Sequence, residues 1–392
     1  MKKTSLNERI AAITPSITLG MEAKAKDLTA KGRKVYSFAA GEPDFDTPAH
    51  IKLAAVNALS AAQTKYAPVA GLQALRCAIS DKLARENNLK YDAAQIVISN
   101  GAKHSLFNIF MALCKEGDEV IIPAPYWLSY PEMVKIAGGK CVFVNAGEKN
   151  DFKMTAAEFE AAITSRTKAL VINSPCNPVG NVYSCAELKS LAAVAVKHGV
   201  YIISDEIYEK MVYDGVEQVS IGSFSKEVYD LTITVNGFSK AYSMTGWRLG
   251  YFAGPIELVK AVCAFQSHST SGANTFAMHG AIAALNGHES AESMKEMQQA
   301  FAERRDYLYG KLTSICGISC IKPMGAFYML PNISKFGLGS VEFCERLLEK
   351  EGVALVPGAA FGSDEHVRLS YACCMNDIKD GVDKLERFVK SL

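Results

Sequence analysis

The chain has 392 residues, of which 49% are hydrophobic and 21% charged, a composition typical of a globular protein with two to three domains. Its formal net charge of +1 gives no basic excess for binding nucleic acid or an anionic membrane surface. No apolar core follows the lysines of MKKTSLNERI, and no apolar run approaches the roughly 18 residues of a membrane span, so we expect a cytoplasmic protein without a targeting segment.

The eleven cysteines are scattered along the chain, and none forms a CxxC pair. Cys316 and Cys320 are four residues apart, and Cys373 and Cys374 are adjacent, which is not the spacing of metal ligands. We therefore expect no metal site and interpret the cysteines as reduced side chains that pack as small apolar residues.

Between about residues 48 and 285, short β-branched runs alternate with amphipathic helical patterns. The runs predicted to be buried strands are 95–99, 118–123, 140–144, 168–174, 200–206, 231–237 and 248–254. Continuous apolar strands separated by helices are typical of a largely parallel sheet covered on both faces. We therefore predict an α/β fold whose large domain spans residues 48–285.

The remainder of the chain has a different pattern. A long helical pattern with mixed charge covers 291–315, and further helices are predicted at 341–352 and near 377–392. Short strand-like segments lie between them, so we predict a smaller α+β domain at 286–392, joined by residues near 20–47. A ligand would bind at the carboxyl ends of the parallel strands, facing the smaller unit.

Polar side chains occur where the predicted strands end. In VNGFSKAYSMTGWRLG (235–250), Lys240 follows a buried strand and a glycine turn, and Arg248 comes eight residues later. A lysine that is desolvated near other cations can lose its proton and form a Schiff base with an aldehyde. The planar guanidinium of Arg248 could hold a phosphate. Taken alone, Lys240 fits a surface turn better.

The segment VYIISDEIYEK places Asp205 at another strand end, with Tyr208 three residues later. A buried carboxylate needs a cationic partner, and a protonated pyridine nitrogen would be one. The hydroxyl of Tyr208 could bond a phenolic oxygen on the same ring. The alternative, an aspartate helix cap and a core tyrosine, fits about equally well.

Three more strand ends carry candidate residues, each with an ordinary alternative. Asn177 precedes Pro178 in a turn where the peptide bond could be cis, or the pair could form a simple Asn-Pro turn. The amides of Gly101 and Ala102 open a predicted helix and could bind phosphate oxygens, although a lone glycine turn is weak evidence. Trp127 could stack on a flat ring or belong to the core.

With these residues in view, the sequence resembles the fold-type I aminotransferases that use pyridoxal 5'-phosphate (PLP). It is most similar to the bacterial and cyanobacterial aspartate aminotransferases outside the animal and enterobacterial subgroup. The resemblance covers about residues 14–372, and nine motifs occur in family order. They are AAGEPDFDTP, TKYAPVAGLQALR, SNGAK, PYWLSYPEM, NSPCNPVG, SDEIYE, NGFSKAYSMTGWRLGY, GAFY and VRLSYA.

The resemblance implies a role for each matching residue. Lys240 would bind the PLP aldehyde and move the proton between substrate Cα and cofactor C4′, while Asp205 pairs with the pyridinium nitrogen and Tyr208 assists at the phenolic oxygen. The other cofactor contacts that it implies are Gly101, Ala102, Lys103, Trp127, Asn177, Ser239 and Arg248.

The resemblance also implies a homodimer with shared active sites, because Tyr66 matches a tyrosine that reaches the phosphate of the neighbouring subunit. The N-terminal segment 1–47 would contribute to dimer contacts. Arg368 matches the arginine that grips the substrate α-carboxylate, and Gly41 would lie beside that carboxylate; Asn177 and Trp127 complete this part of the site. For Arg368 alone, an internal salt bridge is the ordinary alternative.

Substrate choice is less well determined. No arginine near 268–276 matches the one that reads the distal carboxylate in the animal-type subgroup, and Lys103 fits that role instead. Thr18 occupies the position of a threonine in relatives that also accept prephenate. Lys103 could equally serve only to neutralise phosphate, and Thr18 only to pack the N-terminal segment. Two departures, Val179 in NPVG and Tyr130 in place of a histidine, remove no catalytic group.

These residues predict a ping-pong aspartate aminotransferase that converts L-aspartate and 2-oxoglutarate to oxaloacetate and L-glutamate, with prephenate to arogenate as a second activity. Alanine or aromatic aminotransferases and C–S lyases would use the same catalytic lysine. Two alternatives from other classes are a PLP-binding regulator with a DNA-binding module, for which we expect too little chain before residue 39, and a scaffold without turnover. The complete set of polar residues argues against the scaffold.

Overall fold

A computed structural model describes residues 7–392, apart from the side chain of Leu19. Residues 1–6, the start of the predicted N-terminal segment, lie outside the described residues. The strands are β1 Tyr36–Ser37, β2 Ile96–Ser99, β3 Glu119–Ala124, β4 Lys140–Asn145, β5 Thr167–Asn173, β6 Tyr201–Asp205, β7 Thr232–Gly237, β8 Gly250–Ala253, β9 Tyr328–Met329, β10 Val353–Ala354, β11 Val356–Pro357 and β12 Val367–Ser370.

The helices alternate with these strands in the first two thirds of the chain and predominate in the last third. They are α1 Glu8–Ala11, α2 Ile17–Ala30, α3 Ala49–Ser60, α4 Gln73–Asn87, α5 Ala102–Leu113, α6 Ser129–Ile136, α7 Ala156–Ala162, α8 Cys185–His198, α9 Lys226–Leu231, α10 Ile256–Ser267, α11 Thr275–Asn286, α12 His288–Ser314, α13 Ser340–Glu351 and α14 Met375–Val389.

The large unit is built on a seven-stranded sheet in the order β2-β8-β7-β6-β5-β3-β4. Every neighbouring pair is parallel except those made by β8, which runs antiparallel to β2 and β7. The central strands β6, β7 and β8 are almost entirely buried, as expected for a sheet with helices on both faces. The prediction of an α/β fold with a mostly parallel sheet is confirmed.

The antiparallel strand β8 was not foreseen, and the short connection before it explains its direction. Residues 238–249 between β7 and β8 form turns and one short 3-10 helix at Thr245–Trp247. A parallel return would need a crossover, usually containing a covering helix, whereas a short turn reverses the chain. This turn carries Lys240 and Arg248, so the reversal keeps both residues at one edge of the sheet.

Two helices of the large unit show why they begin where they do. Thr155 and Ser184 each cap a helix, and in both cases a glutamate three residues later bonds back to the cap residue. This reciprocal capping box satisfies amides that the first helical turn leaves free. Helix α8 then ends at Gly199, whose left-handed conformation stops the helix.

The smaller unit combines helices α12, α13 and α14 with short strands. The order of its three-stranded sheet is β11-β12-β9, and all of its pairs are antiparallel. Strand β1 from the N-terminal region pairs in parallel with β10. A single apolar cluster joins residues of α12, β9, α13, β12 and α14 with Phe38 and Met21. The N-terminal residues therefore pack on the C-terminal third of the chain.

Among residues 7–392, no helix has both the length and the apolar character that crossing a membrane requires. Within the same range, His, Cys, Asp and Glu side chains form no group suited to holding a metal ion. All eleven cysteines are free thiols.

Candidate active site

A cavity of about 480 Å³ opens where the carboxyl ends of the parallel strands face the smaller unit. This volume lies within the range of sites that take small molecules or cofactors. Its walls come from the ends of five strands of the large unit and the segments that follow them, from α2, from the loop after β1, and from β9 and β12. Its charged side chains are Lys103, Lys240, Arg248, Arg368, Glu22, Glu42 and Asp205. Cations outnumber carboxylates here, which favours an anionic ligand.

Lys240 lies in the turn after β7, and its ammonium group donates to the backbone carbonyl of Gly41. Burial lowers the pKa of Lys240 to about 8, and the cationic neighbours Arg368 and Arg248 act in the same direction, against Glu42. The lysine is therefore close to losing its proton at neutral pH. This is the state in which an amine can act as a nucleophile or a base.

Asp205 ends β6 at the bottom of the cavity and is 4% exposed. The hydroxyl of Tyr130 donates to Asp205 Oδ2 at 2.6 Å, and the amide of Ile207 donates to Oδ1 at 3.3 Å. Burial raises the pKa of Asp205 to about 6, although both hydrogen bonds oppose that rise. No cationic side chain bonds this carboxylate among the described residues, so it is placed to receive a positive charge from a ligand.

Close backbone packing joins the start of α5 to the turn that carries Arg248. Gly101 caps α5 with a φ of 90°, and a Cβ there would lie 2.6 Å from Arg248 Nη2. A Cβ on Gly250 would lie 2.1 Å from the amide nitrogen of Ala102. Only glycine permits this approach, which brings a guanidinium beside the free amides of a helix N-terminus. The two features together form a cradle suited to a phosphate.

Arg368 on β12 is 2% exposed, and its hydrogen bonds go to neutral acceptors. Its Nη1 donates to Asn177 Oδ1 at 3.1 Å and its Nη2 to the carbonyl of Ala39 at 2.9 Å, while its buried Nε has no partner in the described part of the chain. The ring of Tyr328 lies 4.5 Å from the guanidinium carbon. A buried arginine without a carboxylate partner is suited to an anionic ligand.

Lys103 and Trp127 contact each other in the wall of the cavity. The Lys103 ammonium lies 4.9 Å from the centre of the Trp127 ring. Burial and the charge of Arg248 lower the pKa of Lys103. Thr18, near the start of α2, lines the same cavity, and its buried hydroxyl has no bonding partner among residues 7–392. Each of these groups can still accept or donate a contact to a ligand.

The structure brings most of the predicted site residues to this one cavity. Those in its wall are Thr18, Gly41, Ala102, Lys103, Trp127, Asn177, Asp205, Tyr208, Ser239, Lys240, Arg248 and Arg368. Gly101 lies directly behind the wall, against Arg248. Tyr66 does not reach this cavity. It is 95% exposed and borders a separate depression with residues 270–275.

Three polar residues of the wall were missed as site residues, although motifs containing them were recognised. Tyr328 belongs to GAFY, and its hydroxyl lies 2.9 Å from that of Tyr208 and would lie 3.2 Å from a Cβ on Gly41. Glu42 accepts a hydrogen bond from Thr245 at 2.7 Å, which ties the loop after β1 to the Lys240 turn. Asn173 bonds the backbone of Asp205 at 3.0 Å. Their positions in these recognised motifs could have identified them as site residues.

The two departures from the resembling family have clear places. Tyr130 is the hydrogen-bond donor to Asp205. Val179 is fully buried and packs with Phe152, Cys176 and Leu330. The peptide bond between Asn177 and Pro178 is cis. Val179 is thus a core residue, whereas Tyr130 acts on the site.

Comparisons with known proteins agree on one family. The family described as aminotransferase class I and II matches residues 33–385. The chain is 48% identical to an aspartate aminotransferase of Geobacillus stearothermophilus, over 98% of this chain and 99% of that relative. It is 44% identical to an aspartate/prephenate aminotransferase of Cereibacter sphaeroides, over 99% of both chains. The solved structure of an aspartate aminotransferase from Thermus thermophilus with maleate superposes with a TM-score of 0.95 at 43% identity, covering 98% of this chain and 99% of that one.

Proposed function

Because the chain belongs to the class I and II aminotransferase family, we propose that it is a PLP-dependent aspartate aminotransferase. It would transfer the amino group of L-aspartate to 2-oxoglutarate in a ping-pong reaction, giving oxaloacetate and L-glutamate. The observation that carries this proposal is the buried Lys240, whose pKa is lowered to about 8 inside a cavity that also holds Asp205 and Arg368.

The groups around the cavity match the chemistry of PLP. The cofactor has three parts, a phosphate, a pyridine ring and an aldehyde, and each has a suitable protein group. The helix start at Gly101 and Ala102 with Arg248 would hold the phosphate, Trp127 the ring face, and Asp205 the ring nitrogen. Ser239, Asn177 and Tyr208 supply further donors and acceptors. The unpaired Asp205 carboxylate is the strongest support for a cationic ring nitrogen.

When bound, PLP supplies an aldehyde for the substrate amine and a ring that accepts the electrons left by Cα deprotonation. Lys240 Nζ would accept the proton from the substrate Cα and deliver it to C4′ of the cofactor. A pKa near neutrality suits both the uptake and the release of that proton. Asp205 would stay ionised beside the positive nitrogen. Tyr208, whose hydroxyl is bonded to that of Tyr328, would bond the phenolic oxygen of the cofactor ring and so orient the ring.

Two cations of the cavity, Arg368 and Lys103, are not needed for the cofactor and are available for the substrate. Arg368 would hold the α-carboxylate, with Gly41 leaving room beside it, and Lys103 would bind the distal carboxylate of aspartate or glutamate. Glu42 and Asn173 fix the loops around the substrate through Thr245 and Asp205. The site thus favours dicarboxylic amino and oxo acids.

We also propose a homodimer in which Tyr66 completes the site of the neighbouring subunit. Tyr66 is 95% exposed on one chain, and helix α3, which precedes it in sequence, exposes Leu53, Val56 and Leu59. Exposed apolar residues of this kind commonly mark an interface. Sedimentation of the purified protein would test this directly, and a monomer would contradict it.

A second candidate activity, conversion of prephenate to arogenate, is favoured by a specific observation. Several relatives at 44–46% identity over nearly the whole chain are named as aspartate/prephenate aminotransferases or probable ones. The buried Thr18 hydroxyl, which lines the cavity and has no partner in the described part of the chain, could bond a larger substrate. We propose this activity in addition to aspartate turnover.

The decisive experiment is a panel of amino donors and oxo-acid acceptors, including prephenate, with purified protein and PLP. We expect aspartate and glutamate to be the best donors and an absorption band near 400 nm to disappear when aspartate is added, as cofactor chemistry of this class requires. A colourless protein that takes up no PLP would overturn the proposal. Release of ammonia from cystathionine without an oxo acid would indicate a C–S lyase instead.

Lys103→Ala tests the dicarboxylate preference within that panel. Loss of one charge-assisted contact should raise the KM for aspartate by about tenfold or more while changing the KM for alanine little. The exposed Lys260 on α10, which pairs with Glu257, provides the matched control variant Lys260→Ala. An equal effect of Lys103→Ala on aspartate and alanine would remove the argument for a distal-carboxylate contact.

A further inference from the structure

Residues 205–210, which comprise the last residue of β6 and the turn after it, are called the 205–210 turn. This turn carries two pairs of ionisable or polar residues on opposite sides. Asp205 and Tyr208 face the cavity. Glu206 and Glu209 have the same spacing of three, but they are 1% and 9% exposed and belong to another environment. They contact α4 and the segment around Ser220. One short turn therefore fixes the positions of two cavity residues relative to two buried glutamates on its other side.

We call the second side the buried polar network, defined as Lys82, Asn87, Ser204, Glu206, Glu209 and Ser220. Lys82 forms an ion pair with Glu209 and donates to Asn87 Oδ1 at 2.8 Å. Asn87 Nδ2 donates to Glu209 Oε2 at 2.7 Å and to Ser220 Oγ at 2.8 Å. The end of α4 is thus tied to the turn by directional bonds.

Glu206 completes the network from the strand side. Its two oxygens accept from Ser220 Oγ at 2.6 Å and from Ser204 Oγ at 2.8 Å. Burial, followed by the charge of Glu209, raises the pKa of Glu206 to about 7. Burial opposes ionisation of Glu209 as well, but Lys82 and Lys210 hold its pKa below the usual value. Lys82 and Glu209 are therefore the charged pair, and Glu206 can retain a proton.

A buried ion pair of this kind needs a reason other than stability. Apolar residues of similar volume often stabilise a core as well or better, because the desolvation of two charges offsets their attraction. Directional bonds do fix orientation, which apolar packing does less strictly. Glu206 and Glu209 alternate with Asp205 and Tyr208 along one turn, so a rotation that moved either cavity residue would also break these bonds.

We propose that Lys82 and Glu209 are positioning residues, which hold the 205–210 turn from behind so that Asp205 and Tyr208 point into the cofactor site. The inference rests on the proposed PLP function. It predicts that loosening the network weakens cofactor binding more than it weakens the fold, because its bonds act on orientation.

The test compares Glu209→Gln with Glu119→Gln. Glu119 is a buried carboxylate at the start of β3, in the same sheet but at the amino end of the parallel strands, and it accepts from Thr164 at 2.6 Å and from Arg166 at 2.7 Å. Both variants make the same chemical change. We expect Glu209→Gln to raise the PLP dissociation constant of the apo-protein by about tenfold and to shift the pH midpoint of the cofactor absorption band. Glu119→Gln should leave both unchanged.

The double variant Lys82→Met with Glu209→Gln separates orientation from stability. It removes both charges, so we expect the melting temperature of the apo-protein to return towards that of the wild type while PLP binding stays weak. Ser220→Ala, which deletes a single oxygen and should fold, is expected to weaken PLP binding in the same direction by a smaller factor.

Three outcomes are informative against the inference. Wild-type PLP affinity in Glu209→Gln or in the double variant would overturn it, and so would an equal loss in Glu119→Gln. Should Glu209→Gln fail to fold, the double variant and Ser220→Ala decide in the same way. Wild-type protein that takes up no PLP would overturn the proposed function first, a result distinguishable from failure of the network alone.

Discussion

The two sides of the 205–210 turn handle buried charge in different ways. On the side of the buried polar network, Lys82 and Glu209 satisfy each other and both bond Asn87. On the cavity side, the hydrogen bond that Lys240 donates goes to a backbone carbonyl, and the Nε of Arg368 has no partner among residues 7–392. Unpaired buried charges are costly, and a ligand of opposite charge removes that cost. The comparison teaches that the side whose buried charges lack partners of opposite charge, the uncompensated side, is the ligand site. The side whose charges pair with each other, the compensated side, supports that site.

The contrast also appears in the pKa values. Burial lowers the pKa of Lys240 to about 8 and raises that of Asp205 to about 6, so both groups shift towards their neutral forms. Glu209, equally buried, shifts the other way because Lys82 and Lys210 are beside it. Removing a charge should therefore have opposite consequences on the two sides.

The largest effect is expected from Lys240→Ala. Loss of the group that moves the proton should lower kcat for aspartate and 2-oxoglutarate by about 10³-fold. Because the lysine is buried without a carboxylate partner, the melting temperature of the apo-protein should not fall. Steady-state assays and thermal unfolding measure the two effects. Wild-type turnover would refute the catalytic role, and a large loss of apo-protein stability would break the comparison.

Asp205→Asn sharpens the comparison through stability. The folded-state pKa of about 6 lies above the ordinary value of 3.8, so the folded protein binds a proton that the unfolded chain has released. The contribution of Asp205 is therefore most favourable below about pH 4 and is lost as the pH rises through about 6. Asparagine should raise the free energy of unfolding of the apo-protein at pH 7 by up to about 3 kcal/mol, with little change at pH 4.

Urea unfolding of apo-protein at the two pH values measures this difference. Glu209→Gln is the matched variant from the compensated side, and it should lower the free energy of unfolding at pH 7 because Lys82 is left without its partner. A loss of stability in Asp205→Asn at pH 7 would show that the cavity carboxylate is already compensated.

The sequence predicted the chemistry of the uncompensated side better than that of its support. Lys240 and Asp205 stand in motifs at strand ends, and Arg368 stands in the strand motif VRLSYA, so a local pattern indicates the position of each. The network depends on α4 meeting the turn after β6, with Lys82 and Glu209 separated by 127 positions. A lysine in a helix gives no local sign of burial. The direction of β8 was missed for a related reason, since strand patterns do not encode strand direction.

Arg368→Lys should give the third effect in size. Lysine keeps the charge but not the planar fork, so we expect kcat/KM to fall by about 30-fold for every amino donor. Aspartate and alanine should be affected equally, in contrast to Lys103→Ala. The exposed Arg346 on α13, which pairs with Glu342, provides the control Arg346→Lys. A loss confined to aspartate would reassign Arg368 to the distal carboxylate.

Tyr130→Phe should give the smallest effect, because it removes one hydrogen bond and leaves the packing intact. The hydroxyl lies 2.6 Å from Asp205 Oδ2 and lowers the pKa of that carboxyl, so its loss should raise the pKa further. With ionised Asp205 required for catalysis, the acid limb of kcat/KM should move to higher pH, and kcat/KM should fall by about tenfold below that limb.

The control for this change is Tyr229→Phe, which deletes a hydroxyl bonded to Lys90 and Gln95 away from the cavity. Its pH profile should coincide with that of the wild type. Tyr130 is the only polar side chain of the described residues that bonds the Asp205 carboxylate. The shift of the acid limb in Tyr130→Phe therefore measures how much the protein's own side chains stabilise ionised Asp205. An unchanged acid limb in Tyr130→Phe would mean that Asp205 ionisation is fixed by the ring nitrogen of the ligand alone.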